Sequence, residues 1–203
     1  MSKELSAPLA SETISAPVPA ATWAAALLRA AGIVLGGSAL AAICAHVSIP
    51  LFFTPVPLSL QPFAVLLLGL LLAPRMAAAT FAAYLAEGAL GLPVFAPSPA
   101  TAGMAHLLGP TGGYLLAYPL AAALISWLWR RMGRSFATAA LSAAAGDLAI
   151  LACGTLWLAG LTHAAALPSL ALAMLPFLPG DALKIAAAAA MAVGFLRLRR
   201  RTV

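Results

Sequence analysis

The sequence is poor in charged residues, and above all in acidic ones. Only 5 of its 203 residues are Asp or Glu and 8% are charged in total, whereas 64% are hydrophobic. Ordinary soluble domains are about half apolar and roughly a quarter charged. The scarcity of charge therefore excludes a typical water-soluble protein, and it predicts an all-α integral membrane protein in contact with lipid.

Sequence signals for metal and nucleotide binding are missing as well. The two cysteines, Cys44 and Cys153, lie far apart within apolar segments, and no CxxC or Cys/His spacing typical of a metal site occurs. The sequence contains no GxxxxGK[ST] loop that would hold nucleotide phosphates. We therefore expect no metal, no cofactor and no ATP hydrolysis by this chain, and we do not expect an enzyme.

Basic residues outnumber acidic ones, and the net charge is +6. With the exception of Lys184, they occur in short groups at the ends of apolar segments, and they do not form a groove interleaved with aromatic residues. The positive charge is therefore interpreted as a signal of membrane topology. A nucleic-acid partner is not expected.

Six apolar segments are candidates for membrane-spanning helices. They cover residues 23–47, 58–73, 76–91, 113–129, 137–161 and 178–196. The second and third are short, and residues 58–89 can also be interpreted as one helix. With six spans, all basic residues except Lys184 fall on one side of the membrane, whereas five spans leave Arg75 in hydrocarbon. The positive-inside rule therefore favours six spans.

This count predicts the topology of the chain. Both termini are expected in the cytoplasm, as in a multi-pass protein of the cytoplasmic membrane. Residues 1–22, which are rich in Ala, Ser and Pro, are predicted to form a flexible cytoplasmic tail, and residues 23–203 are predicted to form the transmembrane domain.

The predicted outer connections contain Pro and Gly in place of basic residues. In the segment IPLFFTPVPLSLQ, residues 49–61, three prolines prevent regular helix, and Phe52 and Phe53 supply apolar cover. Such a segment suits a lid over an outward-facing pocket. It equally suits a re-entrant connector that seals the helix bundle, and both interpretations stay open.

Asp181 and Lys184 are the most informative pair in the sequence. A charge at the bilayer centre costs roughly 2.5 to 3.5 kcal/mol on insertion scales, and positions i and i+3 share one face of a helix. Pro179 and Gly180 just before them favour a helix start, where free N–H groups attract an anion. The pair predicts a site for a small solute with a carboxylate and hydrogen-bond donors. The alternative is an ion pair that only stabilises the bundle.

Two other acidic residues interrupt apolar segments. Glu87 lies one turn from the outer end of the third segment, near the depth expected for Lys184, and it is favoured as a ligand. Asp147 in the fifth segment is interpreted mainly as a structural residue that bonds to a neighbouring helix. If both act as relays, they fit a proton-coupled transporter.

An intramembrane hydrolase is a weaker alternative from another functional class. Ser38 has the preceding glycines of a reactive serine, and three histidines are available as bases: His46, His106 and His163. However, Ser38 lacks the GxSxG pattern of a nucleophile elbow. The sequence therefore gives this alternative little support.

Four longer strings stand in a distinctive order along the chain. They are IPLFFTPVPLSLQPFAVLLLG from Ile49, GLPVFA from Gly91, LLGPTGGYLLAY from Leu107 and PGDALK from Pro179. Together they resemble the BioY family, the biotin-binding S components of energy-coupling-factor (ECF) transporters, over nearly the whole chain after the tail.

The resemblance implies a six-helix S-component fold that takes up biotin from the outside, together with an ECF transmembrane subunit and two cytoplasmic ATPases. A stand-alone or proton-coupled transporter of biotin or a related small carboxylate is the alternative.

The resemblance also implies roles for individual residues. Ala41 and Ala45 in the first apolar segment match the AxxxA contact that S components make with their transmembrane partner. The implied substrate-binding residues are Asp181, Lys184, Glu87, Tyr84, Phe53 and Tyr114.

Overall fold

The structure, a computed structural model, describes residues 20–97, 102–163 and 174–201. The helices are α1 (Ala20–His46), α2 (Gln61–Leu71), α3 (Pro74–Ala89), α4 (Met104–Leu107), α5 (Gly112–Met132), α6 (Phe136–Thr162) and α7 (Leu178–Arg201). Two short strands, β1 (Ser48–Ile49) and β2 (Leu58–Ser59), pair in antiparallel orientation. The chain is therefore mostly helical, as predicted, with a small hairpin in addition.

In the part of the chain that the structure describes, three helical stretches are long and apolar enough to cross a membrane: Trp23–His46, Gly112–Met132 and Phe136–Thr162. Helix α2 is apolar but has 11 residues. The predicted tail over residues 1–22 lies outside the described residues, except for 20–22, which begin α1.

Pro74 separates α2 from α3. Ala73, the residue before it, is extended with ψ 152°, because the proline ring disfavours helical backbone at the preceding residue. Pro74 itself stands in the first turn of α3, where a backbone N–H is not needed. The Ser126 hydroxyl of α5 donates a 2.6 Å hydrogen bond to the Leu72 carbonyl at the end of α2. The interpretation of residues 58–89 as one helix is therefore wrong.

The Pro-rich segment between α1 and α2 folds back on the helices. The Leu60 N–H donates to the Val47 carbonyl at 2.9 Å and so closes the hairpin. Thr54 and Val56 are buried, whereas Phe52 is fully exposed. The segment is irregular, as its prolines predict, and its inner side faces the bundle.

Alanines bring the helices around α7 close together. Ala188 and Ala192 of α7 are completely buried in one cluster with Ala139 and Ala143 of α6. Small residues allow such close approach of helix backbones in membrane proteins. Helix α7 packs against α2 and α6, and this contact fixes the direction in which its first turns project.

Small residues of α1, namely Gly37, Ala41 and Ala45, face other helices of the same chain. Ala41 and Ala45 are completely buried, and α1 packs against α2 and α3. A Cβ atom on Gly37 would lie 2.6 Å from the Thr80 side chain of α3. The contact of Ala41 and Ala45 with a transmembrane partner subunit stays a prediction.

Candidate functional site

A cavity is enclosed by the first turns of α2, α5 and α7, the middle of α6, and the Pro-rich segment. Most of its wall is apolar or aromatic. The centre of a water-sized molecule can occupy about 50 Å³ of it. Apart from two tyrosines, the polar side chains in the wall are those of Ser59, Gln61, His106, Thr111, Asp147, Asp181 and Lys184.

Asp181 and Lys184 lie in the first turns of α7 and both line the cavity. The Lys184 ammonium donates a hydrogen bond of 2.9 Å to the Asp181 carboxylate. Asp181 is 3% exposed and Lys184 is 9% exposed. The Asp181 N–H bonds to the Phe177 carbonyl at 2.9 Å, which holds the start of the helix in place. The predicted pair is thus an ion pair, buried in the protein and facing a cavity.

Asp147 also faces this cavity, from α6. It is 3% exposed, and it lines the same cavity as Asp181 and Lys184. The structure thus reverses the order expected from the sequence, in which Glu87 ranked above Asp147. A residue interpreted as structural is part of the most polar region of the cavity.

Glu87 and Tyr84 lie on α3 and are absent from the described residues that line the cavity. The half-buried Glu87 carboxylate accepts a hydrogen bond from the Ser38 hydroxyl of α1. The Tyr84 hydroxyl accepts from Gln61 Nε2 at 2.8 Å and donates to the Val94 carbonyl at 2.8 Å. Tyr84 therefore acts on the cavity through Gln61, whereas Glu87 connects α3 to α1.

Tyr114 and Phe53, the two remaining predicted residues, differ in their positions. Tyr114 lines the cavity, and its ring centroid lies 6.4 Å from that of Phe177. Phe53 is 45% exposed and packs edge-on against Phe52, with ring centroids 5.3 Å apart. Val56 and its neighbours in the Pro-rich segment form that part of the wall, and contact of Phe53 with the substrate stays a prediction.

Sequence reasoning missed four polar residues of the cavity wall, namely Ser59, Gln61, His106 and Thr111. Gln61 is the first residue of α2 and is 4% exposed. His106 lies on α4, where its ring stacks on Phe95 with centroids 5.2 Å apart. A lone amide before a long apolar run was a usable signal for Gln61. His106 follows a stretch without regular pattern, and no signal in the sequence points to its place.

The residues of the hydrolase alternative are dispersed. The Ser38 hydroxyl donates to Glu87, and His46 Nδ1 lies 2.9 Å from the Ala42 carbonyl of its own helix. Within the described ranges, no group of three or more His, Cys, Asp or Glu residues is arranged to hold a metal ion. The chemistry that the cavity supports best is binding, by hydrogen bonds and charge, of a small solute.

Comparisons with known proteins agree on one family. A profile of the BioY family matches residues 13–201. The probable biotin transporter BioY of Pyrococcus horikoshii is 40% identical over 157 residues, which are 76% of this chain and 88% of that protein. The biotin transporter BioY of Thermotoga maritima is 37% identical over 166 residues, 82% of this chain and 93% of that protein.

A solved structure shares the fold. The crystal structure of the S-component for biotin from an ECF-type ABC transporter superposes with a TM-score of 0.75 at 26% identity. The match covers 91% of this chain and 95% of that one.

Proposed function

Since the chain belongs to the BioY family, we propose that it is the biotin-binding S component of an ECF-type transporter and captures biotin from outside the cell. The observation that carries this proposal is the buried Asp181–Lys184 pair at the wall of a cavity. Ionised groups in a membrane bundle are rare and mark substrate pathways by default. A pair that only stabilised the helix bundle would not need a cavity beside it.

We infer the binding mode from the chemistry of the two partners. Biotin carries a ureido ring with two N–H donors and one carbonyl acceptor, a sulfur ring, and a carboxylate tail. Asp181 is suited to accept from a ureido N–H, and Lys184 to donate to the ureido oxygen or to the carboxylate. Tyr114 and Phe177 would cover the apolar ring system. Gln61, which Tyr84 holds by a hydrogen bond of 2.8 Å, would donate or accept at the same ring.

The small volume of the cavity suggests that part of its wall moves when the ligand enters. A space of about 50 Å³ for the centres of water-sized molecules holds a few waters and is tight for a bicyclic solute. The Pro-rich segment is the irregular part of the wall, through Val56, Pro57 and Ser59. We propose that this segment opens to admit biotin and then closes over it.

We propose that the protein lies in the cytoplasmic membrane. It would cross this membrane six times, with both termini in the cytoplasm. Helices α1, α5 and α6 are long enough to span alone. Helices α2 and α3 have 11 and 16 residues, or roughly 16 and 24 Å at 1.5 Å per residue, and would span with locally thinned lipid. Basic residues in the last turns of α5 and α7 support a cytoplasmic position for those ends.

Energy for transport would come from other subunits. The sequence has no nucleotide-binding loop, so we propose an ECF transmembrane subunit and two cytoplasmic ATPases as partners. A stand-alone or proton-coupled mode keeps one supporting observation, the carboxyl group of Asp147 in the cavity. Loss of biotin uptake on addition of a protonophore, with cellular ATP maintained, would favour the proton-coupled mode.

Isothermal titration of the purified protein with biotin and with biotin amide tests this function. We expect saturable binding of biotin at one site per chain. The amide lacks the charge of the carboxylate, so its affinity reports whether Lys184 meets the tail or the ureido ring. Absence of biotin binding by the folded protein would contradict the proposal.

A further inference from the structure

Asp147 has no role in the binding mode described above, although it is a carboxylic acid buried in a membrane helix. It is 3% exposed, and it lines the cavity together with Asp181 and Lys184. Ionisable side chains within membrane helices mark substrate or ion pathways by default. A bound solute is therefore positioned to form a hydrogen bond with the Asp147 carboxyl group.

The three charged side chains of the cavity form a pattern. Asp147 projects from α6, and Asp181 and Lys184 project from α7, which packs against α6. Lys184 is paired with Asp181 at 2.9 Å, and Asp147 lines the same cavity as this pair. The cavity therefore presents two carboxyl groups from two neighbouring helices and one ammonium donor.

A cyclic urea has the complementary pattern, since a carbonyl acceptor lies between two N–H donors. We propose that Asp147 is a second substrate-contacting residue, which accepts a hydrogen bond from one ureido N–H while Asp181 accepts from the other and Lys184 donates to the ureido oxygen. This inference rests on the proposed function. It also specifies orientation, because the ligand's carboxylate tail must point away from two carboxyl groups.

Two analogues in which one or the other ureido N–H is replaced by oxygen test the pattern without any mutation. Each cyclic carbamate keeps the shape of biotin but loses one donor and presents an oxygen lone pair instead. We expect each analogue to bind the wild-type protein about tenfold to a hundredfold more weakly than biotin, the equivalent of one charge-assisted hydrogen bond. If either analogue binds as tightly as biotin, only one carboxyl group meets the ureido ring and the inference is wrong.

The variant Asp147→Leu identifies which donor meets Asp147. It should weaken biotin binding by about tenfold to a hundredfold, and the loss should disappear for one carbamate and persist for the other. Ser142→Ala is the matched control, because Ser142 is completely buried on the same helix and bonds to the Thr138 carbonyl, away from the cavity. Asp147→Asn is a second variant, which keeps the shape of the side chain and so tests whether a change of packing explains the loss.

The outcomes separate this inference from the function on which it rests. Unchanged biotin affinity in Asp147→Leu, with wild-type binding intact, overturns the role of Asp147 and leaves the proposed function standing. An equal loss for biotin and both carbamates in the leucine and asparagine variants also overturns it, because a general change of packing would then explain the effect. A wild-type protein that binds no biotin overturns both.

Discussion

The Lys184 ammonium and the Asp181 carboxylate are joined by a hydrogen bond of 2.9 Å within one helix, and neither residue is more than 9% exposed. The pair carries no net charge, which lowers its cost of burial in a membrane bundle. Its position in the first turns of α7, next to a cavity, makes it available to a bound solute.

Removal of one partner should damage the protein more than removal of both. Asp181→Leu or Lys184→Met alone leaves an uncompensated buried charge, and we expect a loss of about 3 to 5 kcal/mol in stability. The double variant Asp181→Leu/Lys184→Met should recover most of that loss. Thermal unfolding in detergent, followed by fluorescence, measures the three variants. A double variant less stable than either single variant would contradict the pairing.

Tyr84→Phe should weaken biotin binding although Tyr84 does not line the cavity. The change removes the hydroxyl that accepts from Gln61 Nε2, and one such hydrogen bond corresponds to about threefold to tenfold in affinity. Titration calorimetry measures the effect. Thr80→Val is the control, because its hydroxyl bonds to the Met76 carbonyl within the same helix. Equal affinities of Tyr84→Phe and wild type would show that Gln61 is not held for the ligand.

Gly154→Ala should disturb the cavity through Tyr114. A Cβ atom at this position would overlap the Tyr114 ring, so the ring must move, at a cost of about 1 to 3 kcal/mol. We expect a lower unfolding temperature together with a lower biotin affinity.

The matched control is Gly160→Ala on the same helix. Among the described residues, no atom lies within 4 Å of the added methyl group at Gly160, so stability and affinity should stay close to wild type. Similar behaviour of the two variants would argue against a tight contact between Gly154 and Tyr114.

The sequence was sufficient to find the ion pair but not its surroundings. Asp181 and Lys184 stand out because charges are rare in apolar sequence, and their i,i+3 spacing requires one helix face. The sequence did not predict in the same way whether Glu87 and Asp147 lie on helix faces that turn toward the cavity. Helix α6 is apolar on most of its surface, so the sequence does not indicate which side of it turns inward.

The sequence also did not indicate which helix packs against the small residues of α1. Gly37, Ala41 and Ala45 predict that another helix approaches closely, but sequence spacing does not say whether that helix belongs to the same chain. In the structure, α3 packs closely against α1 at this point, where Gly37 lies next to the Thr80 side chain. The side to which Phe53 points could not be predicted either, because an irregular segment has no period that separates inner from outer side chains.

The most direct test of the central claim is titration of biotin into the folded double variant Asp181→Leu/Lys184→Met. We expect this variant to be monodisperse and near wild type in stability, yet to show no measurable heat of biotin binding under conditions that saturate the wild type. Biotin binding by this variant with wild-type affinity would contradict the claim that the buried pair is the binding site.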